Sequence, residues 1–280
     1  MECSGDAAAF SCLTARREGI VEEGTEKGVA SSWTLANGVS DAHCHLQWLP
    51  ESERATFFVR KKEQGIRRFL CCATSPADWA DVARIAEGAR AFGSDVVPCF
   101  GVHPWFVRGE DFEEALRGWL ARFPGAWVGE CGLDGTKHVP DTDLHRQEQD
   151  EAFSVQWQLA AEARRPMALH AAGRGTAGRL LERIRALKRS IPGVPGGILH
   201  GSVVSPELAL SYRKEGFRIG IGASALAAER LPRVQKMLSV LTAEDVCLES
   251  DGTDLAPHQT ALRALCEPSS NQPISRMERN

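Results

Sequence analysis

The sequence predicts an α/β barrel of parallel strands, and three observations lead to that fold class. The 280-residue chain is 43% hydrophobic and 25% charged, which suits one large soluble α/β domain. From Gly38 onward, short apolar runs alternate with amphipathic stretches, giving eight strands separated by seven helices. Histidines and acids recur where the strands end. Because βαβ units build parallel sheets, eight of them favour a closed TIM-type (β/α)8 barrel, with an open doubly wound sheet as the alternative.

The strands are predicted from short apolar runs, and the helices from the longer stretches between them. In chain order the strand runs are VSDAHCH, IRRFLCCAT, VVPCFGVH, AWVGECGLD, PMALHA, GGILHG, FRIGIG and DVCLESD. The helices are predicted over 51–64, 76–92, 111–123, 143–165, 175–190, 206–214 and 225–241. In the fourth helix, Phe153, Trp157, Ala160 and Ala161 give one apolar face, and Pro166 ends the helix before the next strand.

The sequence predicts two parts, an extension over residues 1–35 and a barrel domain over 36–280. The first segment is polar, rich in Gly, Ser and Glu, and without steady periodicity, so we predict a flexible extension or an artefact of the assigned start.

No apolar run reaches the ~18 residues that a membrane span needs. The nine cysteines form no C-x-x-C pair and several fall in strands, as expected of buried thiols. We expect a cytoplasmic protein, or a nuclear one in a eukaryote.

The charge balance limits the classes of function. The net charge of −4 excludes a protein that coats duplex DNA through a broad basic face. It allows an enzyme that holds one terminus or one phosphate through a metal ion, because the cation then supplies the positive charge.

Side chains with metal-binding chemistry follow the predicted strands. Five of the eight histidines lie at or just past strand ends, as do three acids; they are His43, His45, His103, His170, His200, Glu130, Glu249 and Asp251. The carboxyl ends of parallel barrel strands open on one face, so these residues are expected to meet there.

His43 and His45 share one face of their strand and could bind one ion together, with Asp41 behind them. The alternative is a pair of hydrogen-bonded histidines without a metal. Glu130 ends an apolar run and has no partner nearby in sequence. A bridging role between metals fits it, and an ion-paired glutamate is the alternative.

His170 and His200 end consecutive apolar runs, PMALH and GGILH, which makes a purely structural role for both less plausible. Glu249 and Asp251 are predicted to share a face of the eighth strand. Asp251 is the candidate general base and metal ligand, since a metal-bound water has a lowered pKa and needs a proton acceptor. Glu249 is expected to support it or to contact substrate; a helix-capping Asp251 is the alternative.

These blocks, taken in order, resemble those of TatD-like metal-dependent hydrolases. The resemblance rests on DAHCHL, GVHPWF, VGECGLD, a helix with Q-x-x-x-F-x-x-Q followed by P-x-x-LH, LHGSVVS, GFRIGIGAS and CLESDG. It runs from about Val39 to Asp251. It implies a TIM-type barrel with one to three divalent ions (Zn, Mn, Mg, Co or Ni) and hydrolysis of phosphodiesters, typically by a deoxyribonuclease acting from the 3′ end.

The resemblance also implies two ligand sets. One metal would be held by His43, His45, Glu130 and Asp251, and a second by Glu130, His170 and His200. Glu130 and Asp251 would be catalytic, and His103, Arg174 and Glu249 would contact substrate. The expected partner is a DNA 3′ end or another phosphoester, with no membrane and no stable protein partner implied.

Three departures from the family pattern keep other functions open. Ala172 stands where the family places a phosphate-suited Arg, with Arg174 two residues later, and Ser202 replaces an aromatic residue. Only 29 residues follow Asp251, so a truncated or missing last helix is expected. The alternatives are a metal-dependent esterase, phosphatase or deacylase on a small substrate, and a non-catalytic barrel.

Overall fold

The computed structural model describes residue 33 and residues 40–108, 111–252 and 254–266. The predicted extension therefore lies outside the described residues apart from Trp33, and the domain boundary at residue 35 stays a prediction. Within the described ranges, no helix has the length and apolar character needed to cross a bilayer.

Eight parallel strands form one sheet in which each strand pairs with the next along the chain. The strands are β1 Asp41–Cys44, β2 Arg68–Cys72, β3 Asp95–Phe100, β4 Trp127–Asp134, β5 Met167–Ala172, β6 Gly197–Leu199, β7 Phe217–Ile221 and β8 Val246–Leu248. This sequential order is that of a barrel, so the predicted fold class is confirmed and the doubly wound alternative, whose strand order changes direction, is excluded.

Helices alternate with the strands as predicted. They are α1 Glu51–Glu63, α2 Trp79–Gly88, α3 Glu113–Arg122, α4 Asp143–Glu162, α5 Thr176–Ser190, α6 Pro206–Lys214, α7 Leu231–Leu238 and α8 Gln259–Cys266. The last of these follows β8, where a truncated or missing helix was expected. A helix is thus present after β8, eight residues long as far as the chain is described.

The barrel closes beside the predicted ligands. The backbone N–H groups of Ser250 and Asp251, just past β8, donate to the carbonyl oxygen of His43 in β1 at 3.3 and 3.0 Å. The Asp41 carboxylate also accepts the Ser250 N–H, at 2.9 Å. Asp41 therefore joins the first strand to the last, where the sequence placed it behind a ligand imidazole.

Two apolar layers hold the strands in place. The larger one lies between strands and helices, while small side chains such as Ala42, Cys72 and Cys99 fill the inside of the barrel. Trp33 is buried with this inner group and meets Trp127 edge to face at 5.9 Å. Since Trp127 begins β4, Trp33 covers the end of the barrel opposite the predicted site.

Candidate metal centre

The two histidines of the first block meet at the end of β1. His43 lies in the strand and His45 follows it, with their Nε2 atoms 3.3 Å apart. His45 Nδ1 donates to the carbonyl oxygen of Cys72 at 2.8 Å, because a carbonyl can only accept. The proton of a neutral His45 is thereby fixed on Nδ1, and the Nε2 lone pair is free for a metal ion.

Glu130 stands between two groups of imidazoles. Its Oε2 atom lies 3.3 Å from His43 Nε2 and 3.5 Å from His45 Nε2. Its Oε1 atom lies 2.6 Å from His200 Nε2 and 2.9 Å from His170 Nδ1. Each carboxylate oxygen thus faces a different pair of histidines, which is the arrangement expected of a bridging ligand.

Asp251 completes the group around His43 and His45. Its Oδ1 atom lies 3.8 Å from His43 Nε2 and 3.5 Å from His45 Nε2. The residue has a φ of 45°, a left-handed conformation that Asp tolerates better than most residues. Its carboxylate is 46% exposed, so it reaches both the cluster and the solvent.

The structure brings all six predicted ligands together. Their donor atoms, with those of His103 as a seventh residue, fall into overlapping groups within 4.8 Å. The groups are His43 with Glu130 and His200, His43 with His45 and Asp251, and His103 with Glu130 and His170. Nitrogen and oxygen donors of this kind suit divalent transition metals. The residues present therefore fit the cation that the sequence predicts.

His170 is held from its other side by Asp134. The Asp134 Oδ2 atom lies 3.1 Å from His170 Nε2 and also accepts the indole N–H of Trp105 at 2.8 Å. The backbone N–H of Thr136 donates to Oδ1 at 2.6 Å. These donors keep the pKa of the buried Asp134 carboxyl well below its usual range, although burial opposes them. Asp134 is thus an anion that orients His170.

His103 has the opposite tautomer to His45. Its Nδ1 atom accepts the backbone N–H of Trp105 at 3.2 Å, so the proton of a neutral ring lies on Nε2. That Nε2 atom is 3.5 Å from Glu130 Oε1. Burial lowers the pKa of His103, which keeps the ring neutral. His103 therefore offers an N–H to the centre, which fits the predicted contact with substrate better than metal ligation.

Glu249 lies enclosed behind His200. Its side chain is 1% exposed, and Oε1 accepts the Gly201 N–H at 2.6 Å while lying 3.9 Å from His200 Nδ1. Gly220 leaves room for it, since a Cβ there would lie 2.0 Å from Oε2. A carboxylate enclosed in this way does not fit substrate binding. It fits the supporting place behind His200.

Arg174 lies on the exposed turn after β5, and no described residue forms a hydrogen bond or ion pair with it. The structure therefore leaves it available to a substrate but does not bring it into the cluster. Its glycine neighbours, Gly173 and Gly175, both have positive φ values of 100° and 76°. The turn they form carries the side chain outward.

The buried ionisable groups of the centre have very different pKa values, and therefore different charges. Burial and the nearby charge of His200 lower the pKa of His43 to about 4. Burial also acts to lower the pKa of His200, but the charge of Glu130 outweighs it and raises that pKa to about 10. The imidazoles in turn hold the pKa of Glu130 well below its usual range. In the metal-free centre, an anionic Glu130 thus pairs with a protonated His200, whose Nε2–H donates to Oε1 at 2.6 Å.

Trp48 is the contributor that sequence reasoning missed. It ends a short 3-10 helix after His45, and its ring stacks on that imidazole with centroids 4.1 Å apart. The signal available was its position three residues beyond a predicted ligand. Trp105 and Phe106 both lie against His103.

Comparisons with known proteins find one family model and several similar chains. A family model described as TatD related DNase matches residues 40–276. Human deoxyribonuclease TATDN3 is 27% identical over 240 residues, which is 79% of this chain and 80% of that protein. The 3′-5′ ssDNA/RNA exonuclease TatD of Pantoea ananatis is 26% identical over 215 residues, covering 76% and 78% of the two chains. The solved TatD homologue YjjV of Escherichia coli superposes with a TM-score of 0.69 at 22% identity, over 82% of this chain and 91% of that one.

Proposed function

The chain belongs to the TatD-related DNase family, and from that membership we propose that it is a metal-dependent phosphodiesterase removing nucleotides from the 3′ end of DNA. One observation carries the proposal, namely the position of Glu130 between two groups of imidazoles. A carboxylate that offers one oxygen to each group suits two divalent ions that act on one phosphate. The human relative is a deoxyribonuclease by name and the bacterial one a 3′-5′ ssDNA/RNA exonuclease, which supports the choice of nucleic acid.

Six residues would hold the ions. We assign His43, His45, Glu130 and Asp251 to one ion, and Glu130, His170 and His200 to the other. When bound, divalent cations stabilise charge on a scissile phosphate and lower the pKa of a water molecule. Imidazole and carboxylate ligands accept Zn, Mn, Co or Ni, and Mg less readily.

The remaining steps belong to side chains of the chain itself. Asp251 is the general base, because its carboxylate is anionic and part exposed, and its pKa lies below the usual range through His45 despite burial. His103 donates its Nε2–H to a phosphate oxygen, since Trp105 occupies the other ring nitrogen. Asp134 and Glu249 position His170 and His200 from behind.

A second function is favoured by one observation. Ala172 stands where the family places an arginine, and Arg174 lies outside the cluster on an exposed turn. An enzyme with less grip on phosphate would suit a small ester, so an esterase, phosphatase or deacylase is the alternative. A non-catalytic barrel is the less supported reading, because all six ligands converge.

The test is cleavage of a single-stranded oligonucleotide across a panel of divalent ions. A 5′ label reveals a ladder of products if nucleotides leave from the 3′ end, and a 3′ phosphorothioate serves as the blocked control. We expect His43→Ala and Asp251→Asn to lower kcat at least ~100-fold, because each removes a ligand or the base. Full activity of either variant in a chelator would contradict the assignment. Activity confined to a small chromogenic ester would favour the alternative.

We propose the cytoplasm as the compartment, or the nucleus in a eukaryote. Six cysteines are free and buried, as is common in reducing compartments; they are Cys44, Cys71, Cys72, Cys99, Cys131 and Cys247.

A further inference from the structure

The exposed aromatic side chains of this protein are concentrated at the candidate metal centre. Five large apolar side chains are exposed in the described part of the chain: Trp48, Val59, Trp105, Phe106 and Leu144. Three of the five lie directly against imidazoles of the cluster. Single exposed hydrophobic side chains are normal on a protein surface. Three aromatic side chains grouped around one polar site instead indicate a binding surface.

Trp48 presents the largest of these surfaces. Its exposed fraction is 62%, although its ring stacks on His45 at 4.1 Å and 22°. The ring edge also lies beside Gly252, where a Cβ would be in van der Waals contact with Trp48 Cζ3 at 3.4 Å. The ring is therefore held in place by its neighbours while most of its surface stays open.

Trp105 lies on the other side of the Glu130 carboxylate. His45, which lies under Trp48, has its Nε2 atom 3.5 Å from Glu130 Oε2. His103, which lies beside Trp105, has its Nε2 atom 3.5 Å from Glu130 Oε1. The indole N–H of Trp105 is fixed by Asp134, yet 47% of the side chain remains exposed. Two restrained indoles thus flank the bridging carboxylate.

Charge gives a reason for aromatic binding surfaces. The chain carries a net charge of −4, so a broad electrostatic attraction to nucleic acid is absent. Stacking of a base on an aromatic side chain contributes about 1–3 kcal/mol per base and tolerates any sequence. Affinity for a nucleic-acid end can therefore come from the two indoles rather than from lysine and arginine.

We propose that Trp48 is the stacking surface for a base next to the scissile phosphate, with Trp105 as a second one. This inference rests on the proposed phosphodiesterase function. A base inside a duplex has its faces covered by its neighbours, which excludes it from such a surface. Trp48 thus positions the substrate, and substrate binding depends on the presence of the stacked base.

The experiment compares two single-stranded oligonucleotides, one ending in thymidines and one ending in abasic tetrahydrofuran residues with the same phosphates. For Trp48→Ala we expect kcat/KM on the thymidine substrate to fall about 5- to 150-fold, mainly through KM. On the abasic substrate the loss should be several-fold smaller, because the base that stacks is already missing. Trp48→Phe keeps an aromatic face and should retain most of the activity. Trp105→Ala should show the same dependence on the base more weakly.

Two controls separate stacking from damage to the centre. Val59→Ala removes an equally apolar side chain, 48% exposed on α1, and should leave both substrates unaffected. Metal content of each purified variant, measured by mass spectrometry, reports whether His45 still ligates. Retained metal with a base-dependent rise in KM supports the proposal.

Other outcomes overturn it in distinguishable ways. An equal loss on both substrates would mean that the Trp48 ring acts only through His45. If Trp48→Ala loses no activity on either substrate, Trp48 does not bind the base, and the exposed aromatic side chains would fit a protein partner instead. Cleavage of neither oligonucleotide by the wild-type protein would remove the proposed function, and this inference with it.

Discussion

His45 and His103 differ in one backbone contact that decides their chemistry. A carbonyl accepts the Nδ1 proton of His45, whereas an N–H occupies the Nδ1 lone pair of His103. The first ring is left as a ligand and the second as a donor. The strand pattern put both at strand ends, and only the family resemblance gave them different roles. The pattern alone does not separate them, because each Nδ1 partner depends on where a neighbouring strand or turn stops.

At this scale we predict that metal binding is linked to proton release. His200 has a pKa raised to about 10, so it is protonated in the metal-free protein below that pH, and a metal on Nε2 must displace the proton. The apparent affinity should therefore rise as pH increases from 7 towards 10, by up to about tenfold per pH unit for each proton released. Calorimetry with Mn²⁺ in buffers of different ionisation enthalpy measures the number of protons. His200→Asn should reduce it by about one, and an unchanged number would contradict the assignment.

At the scale of elements, the strands and the ligands that follow them could be predicted together from the sequence. The residue at which each strand ends could not. Strand positions follow from apolar runs, and His43, Glu130, His170 and His200 follow from where those runs stop. Strand alternation predicts that Glu249 and Asp251 share a face, but β8 ends at Leu248, so alternation does not govern these two residues. The Glu249 carboxylate lies by His200 Nδ1. The Asp251 carboxylate lies by the Nε2 atoms of His43 and His45.

The last helix carries its own prediction. Leu262 of α8 is fully buried, and Lys61 of α1 forms an ion pair with Asp254, which precedes the helix. We expect Leu262→Ala to lower the free energy of unfolding by about 2–4 kcal/mol through lost burial and a cavity. Urea unfolding with chelator present measures it, with Val59→Ala as the exposed control. If both variants lose equally little, α8 does not belong to the barrel core.

For the whole molecule, the metal centre is also a source of stability. Its ligands come from β1, β4, β5 and the segments after β6 and β8, so an ion bound there connects distant parts of the barrel. A ligand at 100 times its Kd stabilises the folded state by about 2.7 kcal/mol. We expect melting temperatures about 5–10 °C higher with Mn²⁺ than with chelator. His43→Ala should remove most of that difference, and an equal shift in the variant would place the ion elsewhere.

Closure of the barrel and assembly of the centre depend on the same few atoms. The His43 carbonyl accepts the N–H groups of Ser250 and Asp251, while both the His43 ring and the Asp251 carboxylate face the cluster. A mutation that separates the first strand from the last would scatter the ligands, and one that moves the ligands would loosen that junction. A substitution at this junction therefore affects both folding and chemistry. Its residues have less freedom to vary during evolution than those around the rest of the rim.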